Sequence, residues 1–84
     1  MRKVQIYSTG WCPYSFAAKA LLEDKGVVYD EIDVTAPESR ADMIQRANGR
    51  RTVPQIFIGG THVGGYLELA DLERSGKLDP MLRE

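Results

Sequence analysis

Cys12 is the one residue whose type and place point directly at covalent chemistry, because it stands between the end of an apolar run and the start of a helical pattern. A helix N-terminus presents unsatisfied backbone N–H groups and the positive end of the helix dipole, and both favour a thiolate over a thiol. Pro13 has no N–H of its own, but its fixed φ suits the first helical turn and leaves the Tyr14 and Ser15 amides aimed back at the sulfur. The Ser15 hydroxyl adds a side-chain donor. Lowering a thiol pKa from about 8.5 to about 6 raises the thiolate fraction at pH 7 roughly thirty-fold, while intrinsic nucleophilicity falls roughly ten- to twenty-fold. The gain lies in leaving: a low-pKa sulfur departs faster when a second thiol cleaves its mixed disulfide. Cys12 therefore suits turnover through a mixed disulfide, and the competing reading is a small buried hydrophobe.

The elements that must hold this cysteine follow from hydrophobic period and Gly/Pro punctuation. Val4–Tyr7 reads as a buried strand, ended by Ser8-Thr9-Gly10. A helix follows over Tyr14–Lys25 with Pro13 in its first turn, Ala17, Ala20 and Leu21 on its apolar side, Ala18 and Leu22 flanking them, and Gly26 as its cap. Val27–Tyr29 and Ile32–Val34 enclose a second strand. Thr35-Ala36-Pro37-Glu38 has capping-box spacing for a second helix that runs to about Asn48, with Ala41, Ile44 and Ala47 as its inner stripe and a left-handed end at Asn48-Gly49. Gln55–Ile58 is a third strand. Gly59-Gly60 is a two-residue hairpin signal that returns Thr61–Val63 antiparallel. Gly64-Gly65 ends that strand, a third helix spans Tyr66–Ser75 up to Gly76, and Leu78–Leu82 adds a terminal turn. The order implies a parallel βαβ start and an antiparallel finish in one mixed sheet covered by helices.

Composition narrows the function. The chain has 84 residues, which is one domain over 1–84, and 43% hydrophobic residues place it among chains that fold. A single cysteine closes no intrachain disulfide, and with a single histidine it builds no zinc site. A net charge of −1 leaves no electrostatic footprint for nucleic acid or anionic membrane, so partners are expected among small molecules and proteins. Met1–Gly10 lacks the apolar run of a signal peptide, and no long apolar stretch follows. A cytoplasmic protein is expected.

Three segments in order now carry a resemblance. Cys12-Pro13-Tyr14-Ser15 resembles the glutaredoxin active site Cys-Pro-Tyr-Cys with serine in fourth place. Thr52-Val53-Pro54 precedes the third strand and Gly64-Gly65-Tyr66 the third helix, at the spacing glutaredoxins use. The likeness spans essentially the whole chain and implies the thioredoxin fold, an α/β four-stranded mixed sheet with helices on both faces in the order βαβαββα.

The resemblance implies a glutathione-dependent oxidoreductase. It implies that Pro54 is a cis-proline facing Cys12, and that the Val53 backbone pairs with the cysteinyl part of glutathione; the residue before a proline is biased to the extended conformation this needs. Gly65, Tyr66 and Leu67, at a helix N-terminus, would take the γ-glutamyl end. Thr52, Arg40 and Thr9 complete the expected glutathione contacts. Thr9 stands where many glutaredoxins carry lysine, Leu67 where an acid often follows the tyrosine, and Arg40, Arg46, Arg50 and Arg51 are all candidates for the glycyl carboxylate. Trp11 either lines the groove or packs, and His62 is expected on the surface of the hairpin, away from the motifs.

Ser15 removes the two-cysteine route and leaves a one-cysteine route, in which Cys12 takes glutathione from a glutathionylated protein and free glutathione resolves the adduct. The same serine fits an engineered trap for that adduct. A second class of function stays open as well: two subunits holding a [2Fe–2S] cluster with one Cys12 each and two glutathiones, Cys12 then being the only protein ligand to metal. The dedicated cluster carriers resemble Cys-Gly-Phe-Ser, whereas this chain has Pro13 and Tyr14. A monomer is expected without a cluster and a dimer with one. A module that only binds glutathione is the third reading, should Cys12 be unreactive.

Overall fold

The computed structural model describes residues 2–83. Eight elements follow one another: β1 Val4–Ser8, α1 Pro13–Asp24, β2 Tyr29–Asp33, α2 Pro37–Arg46, β3 Gln55–Ile58, β4 Thr61–Gly64, α3 Tyr66–Arg74 and α4 Leu78–Arg83. The strands form one sheet in the order β2-β1-β3-β4, with β1 parallel to β2 and the other pairs antiparallel. This is the mixed sheet of the thioredoxin fold, with the terminal turn realised as the short helix α4.

Strand alternation divides the apolar residues between two faces. Val4, Ile6, Ile56 and Ile58 point to one face and pack with Ala18 and Leu22 of α1, Leu69 of α3, and Leu78 and Leu82 of α4. Tyr7 and Phe57 point to the other, against Met43 of α2, Ala47 just past its end, and Val34. The β1–β3 register sets Val4 opposite Ile58 and Ile6 opposite Ile56, so the two central strands bury residues on both faces. Gly59 and Gly60 both have positive φ, which the tight turn between β3 and β4 requires.

Several local expectations shift. The buried residues of α1 are Ser15, Ala18 and Leu22; Ala17 and Leu21 are half-buried and Ala20 is exposed. In α2 the buried position is Met43, with Ala47 just past the helix end, and Ala41 faces solvent. A methionine side chain buries far more apolar area than an alanine, so the helix settles with Met43 against Phe57 and Tyr7. The second strand is Tyr29–Asp33 at the sheet edge, and Val28 before it is exposed. The expected capping box at Thr35 is absent. The Thr35 N–H and hydroxyl both donate to Asp33 Oδ1, at 2.8 and 2.6 Å, and Ala36 becomes the N-cap with Pro37 in the first turn. Asn48, at φ 56°, and Gly49 end α2 in the left-handed region as the sequence implies.

Candidate active site

β1 ends in the loop Thr9–Trp11 and delivers Cys12 as the N-cap of α1, the position from which the first helical amides converge on the sulfur. The cysteine is half-buried and free. Its Sγ–H donates to the Val53 carbonyl at 3.5 Å, which joins the start of α1 to the loop that leads into β3. The Val53–Pro54 peptide is cis, and Val53 is seated against the core layer of Met43 and Phe57.

Burial works against ionisation of Cys12, yet the Ser15 side chain and the Ser15 and Tyr14 backbone amides together hold its pKa below the ordinary thiol value. Ser15 is buried and its Oγ has no hydrogen-bond partner among the described residues. Leaving a buried hydroxyl unpaired is costly, and a thiolate at Cys12 supplies the missing acceptor. Ser15→Ala is expected to raise the Cys12 pKa while leaving the fold intact, because no other group depends on that hydroxyl. A titration of the thiolate's ultraviolet absorbance checks this; an unchanged midpoint would show that the backbone amides alone stabilise the anion.

Beside the cysteine lies an open cleft of about 270 Å³. One wall is Arg50, Thr52, Val53 and Pro54; the other is Gly65, Tyr66, Leu67 and Glu68; Tyr14 closes one end, its ring 6.2 Å from that of Tyr66. Glu68 Oε1 accepts the Gly65 backbone N–H at 2.6 Å and Arg50 Nη1 at 3.0 Å. The Gly65 amide holds the Glu68 carboxyl below its usual range against the opposing effect of burial, and Arg50 helps. At Gly64, with φ 117°, a Cβ would press on Glu68 and Arg50 and a side chain would also strain the backbone.

The structure therefore brings Tyr14, Thr52, Val53, Pro54, Gly65, Tyr66 and Leu67 into one cleft with Cys12 at its edge. It does not bring Arg40 or Thr9 there. Arg40 donates instead to the Arg51 carbonyl at 2.8 Å, bracing the segment ahead of Thr52. Thr9 belongs to a separate depression with Ser8, Gly10, Glu31 and Asp33. Arg46 stacks its guanidinium 4.0 Å over Phe57 and donates to the Tyr7 hydroxyl at 2.9 Å, so of the four arginines only Arg50 lines the cleft. Trp11 is 93% exposed and does not line it.

Two residues were missed or misplaced on sequence grounds. Glu68 stands three positions after Gly65, the N3 place from which a glutamate reaches back to the N-cap amide; glycine has no side chain to return the bond, so only this half of a capping box forms. His62 is not a surface residue away from the motifs. Its ring stacks on Phe57 at 4.8 Å and its Nε2 lies 2.7 Å from Gln55 Oε1. Burial and the Arg50 and Arg46 charges hold its pKa below the ordinary value, with Glu68 opposing.

With this geometry in place, similarity to known proteins decides the family. The glutaredoxin family model matches residues 4–63. The chain belongs to the glutaredoxin family. It is 54% identical over 83 residues to a glutaredoxin of Pseudomonas aeruginosa, covering 98% of both chains, and 42% identical to glutaredoxin 3 of Escherichia coli K12, covering 99% of this chain and 100% of that one. Among solved structures, the glutaredoxin of Brucella melitensis superposes with a TM-score of 0.87 at 52% identity, over 99% of this chain and 90% of that one. A buckwheat glutaredoxin–glutathione complex superposes with a TM-score of 0.86 at 34% identity, over 96% and 76%. As a glutaredoxin the chain is a glutathione-dependent thiol oxidoreductase of thioredoxin fold. No helix among the described residues is long and apolar enough to cross a membrane.

Proposed function

We propose that this glutaredoxin works by a one-thiol route and removes glutathione from glutathionylated proteins. The observation that carries the reading is Cys12 as the sole cysteine, at the N-cap of α1 with its pKa lowered, at the edge of a cleft walled by Thr52–Pro54 and Gly65–Glu68. Glutathione lies in that cleft, its cysteinyl backbone along Val53 and its carboxylates toward Arg50 and the amides that open α3. The likeness to a glutaredoxin solved with glutathione supports this placement.

The Cys12 thiolate attacks the glutathione sulfur of the mixed disulfide; the new Cys12–glutathione S–S bond forms as the old one breaks, and the protein thiolate leaves and takes a proton from solvent. A second glutathione, as its thiolate, then attacks the glutathione sulfur held on Cys12. Glutathione disulfide departs and Cys12 returns as a thiolate. The net change is one glutathionylated protein plus one glutathione to one protein thiol plus one glutathione disulfide. Ser15 donates to the sulfur whenever it is anionic, which favours its departure in the second step. This chemistry fits a monomer in the cytoplasm, where glutathione is kept reduced.

The test has two parts. Mixing the protein with a glutathionylated peptide alone should yield an intact mass raised by one glutathione, and adding glutathione with glutathione reductase and NADPH should give steady turnover. The absence of both adduct and turnover would overturn the reading. A coloured dimer from anaerobic purification would instead support a [2Fe–2S] cluster held by Cys12 from each of two subunits and two glutathiones.

A further inference from the structure

We propose that His62 is a positioning residue for the Thr52–Pro54 wall of the cleft, acting through Gln55. The inference rests on the reading of that cleft as the glutathione site. Gln55 is fully buried at the start of β3, directly after Pro54. Its Nε2 donates to the Thr52 carbonyl at 3.0 Å and to Thr52 Oγ1 at 3.2 Å, and its Oε1 faces His62 Nε2 at 2.7 Å. The Thr52 carbonyl settles the amide's orientation, since it can only accept and the reversed amide would set an oxygen against it. His62 Nε2 must therefore carry the proton and donate.

Both amide protons of Gln55 are thus spent on Thr52, and its oxygen is spent on His62, so a buried amide is satisfied by the loop on one side and by β4 on the other. His62 is itself fixed by stacking on Phe57, whose opposite neighbours are Tyr7 and the Arg46 guanidinium. The chain of contact runs from the α2-side core through His62 and Gln55 to Thr52. The residue it steadies precedes Val53, whose carbonyl accepts from Cys12 and whose backbone glutathione would meet. No part of this chain touches the sulfur, so its loss should weaken capture of the glutathionyl group and leave the chemistry of Cys12 alone.

Three variants test it. His62→Phe keeps a ring for stacking and removes the donor; His62→Gln restores an N–H; Gln55→Leu removes the link. His62→Phe is expected to raise the KM for a glutathionylated peptide about 5- to 10-fold with kcat within about twofold, the range one buried hydrogen bond supplies. His62→Gln should recover most of the loss, and His62→Phe should add nothing in a Gln55→Leu background. NMR order parameters of the Thr52 and Val53 amides, read in the same proteins, should fall in His62→Phe. Unchanged KM and unchanged order parameters in His62→Phe would overturn the proposal, and so would an equal effect of that variant with and without Gln55. If the wild-type protein fails to turn over the peptide, the glutathione reading falls, while the order parameters still decide whether His62 holds the loop.

Discussion

Replacing Cys12 with serine is expected to abolish turnover of a glutathionylated peptide, by on the order of 10³-fold or more, while leaving the protein folded. A hydroxyl is almost wholly protonated at neutral pH and forms no exchangeable S–S bond, so neither half of the cycle has a nucleophile. No second thiol exists to substitute for it. Cys12 is only half-buried and its one side-chain hydrogen bond in the thiol form, among the described residues, is to Val53, so the variant should lose less than about 1 kcal/mol at low pH. The stability difference should then depend on pH in a definite direction. Cys12 ionises more readily folded than unfolded, so the wild type gains nothing from it below its lowered native pKa. It gains progressively as pH rises from that value, and fully above the ordinary thiol value of about 8.5. Urea denaturation of both proteins at several pH values should show the wild type pulling ahead of the variant as pH rises. A constant gap would mean that the thiolate is no better held in the native state than in the unfolded one, and turnover by the variant would remove Cys12 from the mechanism.

Much of this architecture is legible in residue patterns because the relevant signals are local. The short β-branched and aromatic runs Val4–Tyr7 and Gln55–Ile58, the double glycine at 59–60 and the Asn48-Gly49 helix end each act through backbone geometry of a few residues, and the chain follows them. The same holds for Cys12 with Pro13, whose neighbours in sequence are also the groups that stabilise its thiolate. What could not be read is what depends on the approach of distant segments. Residue type does not distinguish Arg50, beyond the Asn48-Gly49 helix end, from Arg40 on α2; their fates diverge because Arg50 meets Glu68 from α3 while Arg40 meets the Arg51 carbonyl. His62 looks like a hairpin surface residue until β4 pairs with β3 and its ring meets Phe57 and Gln55. The phase of α2 is likewise decided by the sheet: Ala41 and Met43 both fit a helical stripe, and Phe57 and Tyr7 select the larger side chain.

Phe57→Ala should be the most damaging core substitution on the α2 side of the sheet. The ring is 2% exposed, meets Tyr7 edge-on at 5.6 Å, and lies between the His62 ring at 4.8 Å and the Arg46 guanidinium at 4.0 Å. Removing a buried phenylalanine costs about 3–5 kcal/mol from lost transfer energy and the cavity left behind. A domain of this length is expected to have only about 4–13 kcal/mol in total, so the variant should sit close to unfolding, with Tm lowered by at least about 12 °C. Two terms compete for the explanation. Cation–π attraction from Arg46, which is exposed, is worth about 0.5–1 kcal/mol at such sites, whereas apolar burial accounts for most of the rest. Arg46→Ala, which deletes the cation and its bond to the Tyr7 hydroxyl but leaves the ring, should therefore cost no more than about 2 kcal/mol. Phe57→Leu, which keeps much of the volume but loses the stacked face, should fall between them. Chemical denaturation of the three variants orders these contributions. If Arg46→Ala proved as costly as Phe57→Ala, this layer would be held by the buried face of a charge rather than by exclusion of water, and α2 would be secured to the sheet chiefly by its arginine.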